Sequence, residues 1–237
     1  MSMYARTEAL LGEEAFKKLR QLRIMVIGAG GVGSHAAQAL AYMGVGSLHL
    51  VDFDTLDITN ANRHVQAQRH RIGQSKVEAL KDHLIETFDR LEIHTSNVYF
   101  SEECLSLLDE PVDMVLECID HLRAKLLIIE QSQRRDIPIL SALGMGNRLN
   151  PSLVHITTLY RSSGCPLASR LRREARKWQL KDTPVVISSE TPKKISVKDD
   201  SARHTPASCY LVPAACGNLM AYHVVKTFTD MSTKTGR

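Results

Sequence analysis

Glycines and an acid that can hold a nucleotide lie in the first quarter of the sequence. Gly28, Gly30, Gly31 and Gly33 form the run G-A-G-G-V-G between an apolar stretch and an Ala-rich one. Backbone N–H groups and the helix dipole at such a strand-to-helix turn attract an anion, typically a phosphate. Asp52 follows Gly33 by 19 residues, where a carboxylate can accept hydrogen bonds from a ribose. These features suit NAD, FAD or an adenosine nucleotide, and they leave that choice open.

A second group of polar residues favours a triphosphate over a dinucleotide. Arg63 and Lys76 can take the α-, β- and γ-phosphate oxygens. Asn60 and Asn62 can position ribose or phosphate, and Asp120, which follows a predicted core strand, can hold Mg²⁺. A triphosphate that loses pyrophosphate develops charge that such groups offset. Each residue alone is equally consistent with a surface charge, a helix cap or a turn, so the combination is what indicates ATP with Mg²⁺.

Apolar and amphipathic segments alternate around these residues. Apolar runs predict strands at 23–27, 48–51, 91–95, 112–118, 137–140 and 154–158. Helical spacing predicts helices at 7–21, 34–43, 75–88, 101–108, 121–134, 166–180 and 212–228. Strands that alternate with helices predict an α/β fold, here a Rossmann-like, doubly wound, mainly parallel sheet. The predicted strands therefore end where the glycines and acids lie.

The length of 237 residues fits one domain, 1–237, in three segments. An N-terminal helix occupies 1–22, and a nucleotide-binding core occupies 23–160. The remaining segment, 161–237, is expected to face the substrate, with a basic helix, a mobile loop and a C-terminal helix. We expect the loop across 182–208 because Thr-Pro pairs stand there among Ser, Lys and Asp.

Composition excludes several classes of protein. With 43% hydrophobic and 24% charged residues, the chain is neither disordered nor fibrous. No apolar run is long enough for a membrane span and the first residues include acids, so we expect a cytoplasmic protein. The five cysteines contain no C-x-x-C pair, which argues against a disulfide framework and a zinc ribbon. We assign no catalytic role to any cysteine.

A one-sided cluster of positive charge lies in the carboxyl-terminal third. A single acid, Glu174, stands between the first and last of seven bases, namely Arg161, Arg170, Arg172, Arg173, Arg176, Lys177 and Lys181. Such a helix can neutralise several nucleic-acid phosphates with salt-sensitive affinity. An ordinary surface helix with Leu167 and Leu171 turned inward explains the spacing of its apolar residues, but it does not explain the charge.

Over residues 4–160 the chain resembles the adenylating superfamily of ubiquitin-activating enzymes and ThiF-type sulfur-carrier adenylyltransferases. The matching motifs are G-x-G-G-x-G at 28–33, V-D-F-D at 51–54, T-N-x-N-R at 59–63, G-x-x-K at 73–76 and C-I-D at 118–120. The resemblance implies that these positions bind ATP and Mg²⁺, which adds Asp54 to the site. It also implies a homodimer in which an arginine near the amino terminus, matched by Arg6, reaches the neighbouring subunit's site.

The carboxyl-terminal third resembles one branch of that superfamily, the tRNA threonylcarbamoyladenosine dehydratases. The similar stretches are P-L-A at 166–168, R-L-R-R at 170–173, V-V-I-S-S-E-T-P at 185–192 and A-S-C-Y-L-V-P at 207–213. This resemblance implies adenylation of the carboxylate of N6-threonylcarbamoyladenosine at tRNA position 37, followed by cyclisation with net loss of water. The basic helix would then contact tRNA, and sulfur-relay proteins would be partners.

Three other functions remain open. The chain can activate the C-terminus of a ubiquitin-like sulfur-carrier protein, although such enzymes commonly carry paired C-x-x-C motifs that this sequence lacks. A nicotinamide oxidoreductase would use only the glycine run and Asp52, so Lys76 would be dispensable. A nucleotide-binding scaffold would bind ATP and form no AMP with any acceptor.

Overall fold

The computed structural model describes residues 2–198 and 204–229, which form a seven-stranded sheet, a small two-stranded ribbon and seven α-helices. The sheet strands are β1 (Arg23–Ile27), β2 (Ser47–Val51), β3 (Glu92–Ser96), β4 (Met114–Glu117), β5 (Ile139–Ala142), β6 (Val154–Thr158) and β7 (Pro184–Ser188). Their order is β3-β2-β1-β4-β5-β7-β6, and every neighbouring pair is parallel except β6 and β7. The predicted Rossmann-like, mainly parallel sheet is confirmed.

Helices cover both faces of this sheet. They are α1 (Ala5–Leu11), α2 (Glu13–Gln21), α3 (Gly31–Met43), α4 (Lys76–Ile85), α5 (Leu122–Arg134), α6 (Pro166–Lys177) and α7 (Leu211–Phe228). Apolar side chains of α2, α3, α4 and α7 form the core on one face, and those of α5 and α6 form the core on the other. The ribbon of β8 (Ser196–Lys198) and β9 (His204–Pro206) stands apart from the sheet.

The N-terminal and 101–108 segments differ from the predicted helices. The single helix predicted at 7–21 is two helices, because the backbone turns at Gly12, where φ is 88° and a glycine is strongly favoured. The predicted helix at 101–108 is a 3₁₀ helix, Glu102–Leu108. Both differences concern how short segments turn, which the spacing of apolar residues does not specify.

The predicted mobile loop across 182–208 is wrong for its first part. Pro184–Ser188 is the strand β7, which lies between β5 and β6 with Val185, Val186 and Ile187 buried. β-branched side chains on both faces suit a strand inside a sheet. Of the Thr-Pro pairs that indicated a loop, one stands at the beginning of this strand and another follows its end. Residues 199–203 of the predicted loop lie outside the described residues.

The C-terminal helix packs closely on the helix that follows the glycine run. A Cβ atom on Gly217 would lie 2.6 Å from the Val32 carbonyl oxygen and 2.7 Å from the Ala36 nitrogen, so α7 can approach α3 only through a glycine. This contact brings the beginning of α7 beside the carboxyl ends of β1 and β4. The loops that follow the parallel strands meet at that edge, which is where sheets of this class bind ligands.

Candidate active site

The glycine run forms a tight turn between β1 and α3. Gly28 has a φ of 99°, and a Cβ on it would lie 2.9 Å from the carbonyl carbon of Cys118. A Cβ on Gly33 would lie 1.8 Å from the Gly28 carbonyl oxygen. Glycine is therefore required at both positions, and the turn leaves the N-terminus of α3 open to an anion.

A cavity of about 550 Å³ opens over this turn at the carboxyl edge of the sheet. It brings together most of the residues predicted for the site, namely Gly28, Gly30, Gly31, Asp52, Asp54, Asn60, Arg63, Lys76 and Asp120. Gly33 and Asn62 do not line it. Gly33 instead allows the close contact within the turn, so its role is in packing.

Asp52 connects the end of β2 to the glycine run. One carboxylate oxygen accepts a hydrogen bond from the Ala29 N–H at 2.7 Å, and the other accepts one from the Asp54 N–H at 2.9 Å. Burial raises the pKa of Asp52 despite these bonds and the nearby Lys76. Each oxygen keeps a free lone pair, so Asp52 can still accept hydrogen bonds from a ribose.

Lys76 is held beside the cavity by Asp54. The Lys76 Nζ lies 2.6 Å from the Asp54 carboxylate, and the Lys76 N–H donates to the Asp54 carbonyl oxygen at 2.9 Å. Lys76 is the first residue of α4, and its side chain is 12% exposed. An entering phosphate can bond to the same ammonium group that Asp54 orients.

Arg63 presents a cation to the cavity without an acidic partner among the described residues. Its guanidinium donates to the Thr59 carbonyl oxygen at 2.8 Å and to the Asn62 side-chain oxygen at 2.9 Å. Burial lowers the pKa of Arg63, which nonetheless remains charged at neutral pH. Asn62 also donates to the Ser208 carbonyl oxygen at 3.0 Å. The Asn62 side chain thus connects Arg63 to the segment before α7, and its predicted contact with the nucleotide stays a prediction.

Asp120 lies at the cavity on a loop fixed from beneath by a buried ion pair. The Lys125 Nζ lies 2.5 Å from the Glu117 carboxylate, and both side chains are 0% exposed. Glu117 also accepts hydrogen bonds from the Ser141 hydroxyl and, at 2.9 Å, from the Ile119 N–H. The last bond holds the turn that leads into Asp120. Asp120 itself is exposed and free to bind a cation at the mouth of the cavity.

Several residues that line the cavity were not predicted. Phe53 and Tyr99 are exposed rings whose centroids lie 5.1 Å apart, and the Tyr99 hydroxyl bonds to His121 Nδ1 at 3.0 Å. They give the cavity an aromatic wall suited to a nucleobase. His64 also lines the cavity, beside Gly30 of the glycine run. In the sequence, His64 directly follows Arg63, and Phe53 directly follows Asp52. No other feature of the sequence indicates that these two residues line the cavity.

The donors present fit a nucleoside triphosphate with a divalent ion. Backbone N–H groups at α3, two cations and an aromatic wall surround one cavity. Among the described residues, no three His, Cys, Asp or Glu side chains are grouped to hold a metal on their own. Mg²⁺ commonly uses one or two carboxylates together with phosphate oxygens, so Asp120 is a sufficient protein ligand.

A model of one family, the ThiF family, matches residues 4–236 of the chain. The chain belongs to the ThiF family. It is 31% identical over 238 residues to the tRNA threonylcarbamoyladenosine dehydratase of Bacillus subtilis (strain 168), covering 95% of this chain and 94% of that protein. Its match to the molybdopterin-synthase adenylyltransferase of Haemophilus influenzae is 34% identical over 125 residues, covering 53% of this chain and 51% of that protein.

Solved structures of the Escherichia coli tRNA N6-threonylcarbamoyladenosine dehydratase, TcdA, share this fold. The complex with ATP superposes with a TM-score of 0.88 at 25% identity, covering 98% of this chain and 96% of that one. The complex with AMP has a TM-score of 0.87 at 26% identity, covering 95% and 93%. The similarity thus extends through the carboxyl-terminal third of this ThiF-family chain.

Helix α6 of the ThiF-family chain carries five of the seven bases of the predicted cluster, and Arg161 and Lys181 flank it. The side chain of Arg172 is partly buried and donates to the carbonyl and hydroxyl oxygens of Ser162, so it serves the structure. Arg173 and Lys177 both pair with Glu174, at 3.1 Å and 3.0 Å. The remaining members are exposed and have no acidic partner among the described residues, namely Arg161, Arg170, Arg176 and Lys181.

Arg6 lies far from the cavity of its own chain. It is exposed on α1, and the neighbouring Tyr4 hydroxyl donates to the Ala41 carbonyl oxygen at 3.0 Å, near the end of α3. The cavity is at the opposite end of this 13-residue helix, about 20 Å away at 1.5 Å per residue. Arg6 is thus on the part of α1 that lies near the end of α3 farther from the cavity.

Within residues 2–198 and 204–229, the helices are too short or too polar to span a bilayer.

Proposed function

We propose that this chain is an ATP-dependent tRNA threonylcarbamoyladenosine dehydratase. The observation that carries the proposal is the similarity to the Bacillus subtilis enzyme over nearly the full length of both proteins. That match takes in α6, β7 and α7 as well as the nucleotide loops. The reaction activates the threonyl carboxylate of the modified adenosine, closes a ring with net loss of water, and releases AMP and pyrophosphate.

The residues around the cavity act on phosphate charge and on position. When bound, ATP supplies the adenylyl group that gives the carboxylate a good leaving group. Arg63 and Lys76 bind phosphate oxygens and offset the charge that develops as pyrophosphate leaves, while Asp120 binds Mg²⁺. Asp52 holds the ribose, and the rings of Phe53 and Tyr99 flank the base.

Ring closure requires no nucleophilic side chain. The attacking nitrogen belongs to the same nucleoside as the activated carboxyl carbon, so the site needs only to hold them in contact. The nitrogen bonds to that carbon and loses its proton while the bond from carbon to AMP breaks. Burial raises the pKa of the Cys118 thiol, the cysteine nearest Asp120, so this thiol stays protonated and unreactive.

The decisive experiment measures the mass of the nucleoside. The protein is incubated with ATP, Mg²⁺ and tRNA that carries threonylcarbamoyladenosine, and the tRNA is then digested to nucleosides. We expect the modified nucleoside to lose the mass of one water and AMP to accumulate with it. An unchanged nucleoside mass with a competent tRNA would refute the proposal.

Lys76→Ala should lower AMP formation by about 100-fold or more, since it removes a cation that meets the charge of the transition state. Arg69→Ala is the matched control, because Arg69 is an exposed cation between Arg63 and Lys76 that does not line the cavity. Equal activity of the two variants would contradict the phosphate role of Lys76. A nicotinamide oxidoreductase or a scaffold without turnover would form no AMP in this assay. AMP formation by the natural protein would therefore exclude both of these functions.

Four further properties belong to the same proposal. The enzyme is a homodimer in which Arg6 of each subunit serves the site of the other. Exposed bases on and beside α6 contact tRNA phosphates. Sulfur-relay proteins associate with it, and it acts in the cytoplasm. The distance of Arg6 from its own cavity and the exposure of Arg161, Arg170 and Arg176 support the first two.

A second candidate function is activation of a ubiquitin-like sulfur carrier. The similarity to a molybdopterin-synthase adenylyltransferase favours it, but that similarity covers only about half of each chain. This function predicts exchange of pyrophosphate into ATP that requires a carrier ending in Gly-Gly and does not respond to tRNA. Exchange without any carrier, stimulated by the modified tRNA, would exclude it.

A further inference from the structure

His64 is a buried side chain on the phosphate side of the cavity that the proposed reaction has not used. It follows Arg63 directly, is 7% exposed and lines the cavity. Its Nε2 atom lies 3.9 Å from the position that a Cβ on Gly30 would occupy. Gly30 is the residue at which α3 begins to turn, so this nitrogen faces the place where an anion meets the helix N-terminus.

The other ring nitrogen of His64 determines where the proton lies. Nδ1 is buried and has no hydrogen-bond partner among the described residues. A proton on Nδ1 would be a buried donor without an acceptor, which is costly, whereas a proton on Nε2 points into the cavity. The neutral ring therefore carries its proton on Nε2.

The groups around His64 keep the ring neutral. Two cations, Arg63 and Lys76, face it, and His35 lies close by with its Nε2 bonded to the Arg63 carbonyl oxygen at 3.1 Å. Burial, these two cations and His35 together lower the pKa of His64 to about 3. At neutral pH the ring is therefore a hydrogen-bond donor that adds no third positive charge.

We propose that His64 donates a hydrogen bond from Nε2 to a phosphate oxygen of the nucleotide seated on the glycine run. The proposal rests on the proposed use of ATP, but it does not depend on which acceptor is activated. Arg63 and Lys76 supply charge, whereas His64 fixes the position of one oxygen, because the N–H of a fixed ring donates along a single direction. This makes His64 a further phosphate-binding residue of the site.

Binding measurements without any tRNA test the proposal. His64→Leu should weaken ATP binding by about tenfold or more, the usual loss for a hydrogen bond to a charged group, and should leave adenosine binding unchanged. His64→Gln keeps an N–H donor at a similar reach and should bind ATP within about threefold of the natural protein. Equal ATP affinity of the Leu variant and the natural protein would overturn the proposal, and so would a Gln variant as weak as Leu.

His83→Leu provides a matched control. His83 lies on α4, has an equally buried Nδ1 without a partner among the described residues, and does not line the cavity. Loss of ATP affinity in this variant would show that removal of any such histidine disturbs the fold, and would remove the support that His64→Leu gives. If the natural protein itself fails to bind ATP, the proposed function fails with it. If the natural protein binds ATP and the His64→Leu variant binds it equally well, only the role of His64 fails.

Nitrogen NMR of the natural protein tests the same point without a substitution. With ¹⁵N-labelled histidine, we expect His64 at pH 7 to have a protonated Nε2 and a bare Nδ1. Addition of ATP should shift the Nε2 resonance, and addition of adenosine should not. A proton on Nδ1 in the free protein, or an Nε2 resonance that ATP leaves unmoved, would overturn the proposal.

Discussion

The two cations at the phosphate side of the cavity differ in what surrounds them. Lys76 is bonded to Asp54, whereas the Arg63 guanidinium has, within the described part of the chain, only the neutral oxygens of Thr59 and Asn62 as partners. Arg63 therefore carries the larger uncompensated charge, and we expect it to dominate the attraction of a polyphosphate. Lys76 is already oriented by its acid, so it loses little side-chain freedom when a phosphate binds.

The pH dependence of stability provides a test of His64 at this scale. Its pKa is about 3 in the folded protein and near 6.5 in the unfolded chain, so only the unfolded chain takes up a proton between these values. The contribution of His64 to stability is complete above pH 6.5 and is lost as the pH falls toward 3. The loss is about 1.4 kcal/mol for each pH unit in that window.

We therefore expect the free energy of unfolding to fall less steeply in His64→Gln than in the natural protein. Between pH 6.5 and 4.5 the difference should reach about 2 kcal/mol. Urea titrations at a series of pH values measure it. The other buried histidines remain in both proteins and cancel in the comparison, so parallel pH profiles would contradict a neutral, buried His64.

The sequence predicted this site unevenly, residue by residue. Gly28, Asp52, Arg63 and Lys76 were predictable because glycines and charged side chains stand directly after the strands β1 and β2 and in the segment that leads into α4. Tyr99 comes from a loop distant in sequence from these residues, and only the packing of the sheet brings it to the cavity. No pattern within a single segment can indicate such residues.

At the scale of elements, the buried pair of Glu117 and Lys125 joins β4, α5 and the end of β5. Lys125 also donates to the Ala142 carbonyl oxygen at 2.7 Å. The pair fixes the turn that carries Asp120, since Glu117 bonds to the Ile119 N–H. The sequence motif C-I-D indicates Asp120 but not the residues that fix its turn, because those residues are spread over three elements.

Lys125→Met should lower the free energy of unfolding by about 3–5 kcal/mol, because it leaves the Glu117 carboxylate buried without its partner. Chemical denaturation measures the loss. The double variant Glu117→Gln/Lys125→Met removes both charges and should recover part of the stability. A single variant within about 1 kcal/mol of the natural protein would contradict a charged pair at this position.

The elements themselves were largely predictable. Most strands around the glycine run end at a glycine or an acid, and the helices between them have clear apolar faces. β7 was not predicted because its short apolar run stands among Thr-Pro pairs, and local composition outweighed it. Its burial depends on β5 and β6, which neighbour it only in the folded sheet.

At the scale of the whole molecule, exposed bases stand on α6 and on the residues that flank it. Its first residues lie beside the carboxyl end of β5, where the Cys165 sulfur is 3.4 Å from a Cβ position on Gly144. Its far end leads to Leu180, whose carbonyl oxygen accepts a bond from the Tyr160 hydroxyl, and Arg176 stacks on that tyrosine ring at 5.1 Å. The segment from Arg161 to Lys181 thus offers exposed cations that RNA phosphates can contact.

The salt dependence of tRNA binding tests this surface. Each phosphate contact contributes a slope of about −0.9 in a plot of log affinity against log salt concentration. The triple variant Arg161→Ala/Arg170→Ala/Arg176→Ala should therefore bind more weakly and show a slope shallower by about 2 to 3. Lys17→Ala/Arg69→Ala, which changes exposed cations elsewhere, should leave the slope unchanged. Equal slopes in all three proteins would place the tRNA on another surface.

Subunit mixing tests the action of Arg6 in a partner's site. Arg6→Ala and Lys76→Ala should each be nearly inactive alone. In a mixed dimer, the subunit that keeps Lys76 receives Arg6 from its partner and regains one complete site. Random mixing should restore about a quarter of the natural activity, since half of the dimers are mixed and each has one such site. Activity no greater than the sum of the two variants would exclude an exchanged arginine.

The place of β7 has a consequence for any attempt to build chimeras. β6 precedes residue 160 and yet reaches the sheet only through β7, which is formed from residues 184–188. A splice near residue 160 would therefore separate an edge strand from the one that anchors it, and would leave β5 with a bare edge. The last third of this chain therefore cannot be exchanged as a terminal cassette, because it contributes a strand to the same sheet from which the glycine run emerges.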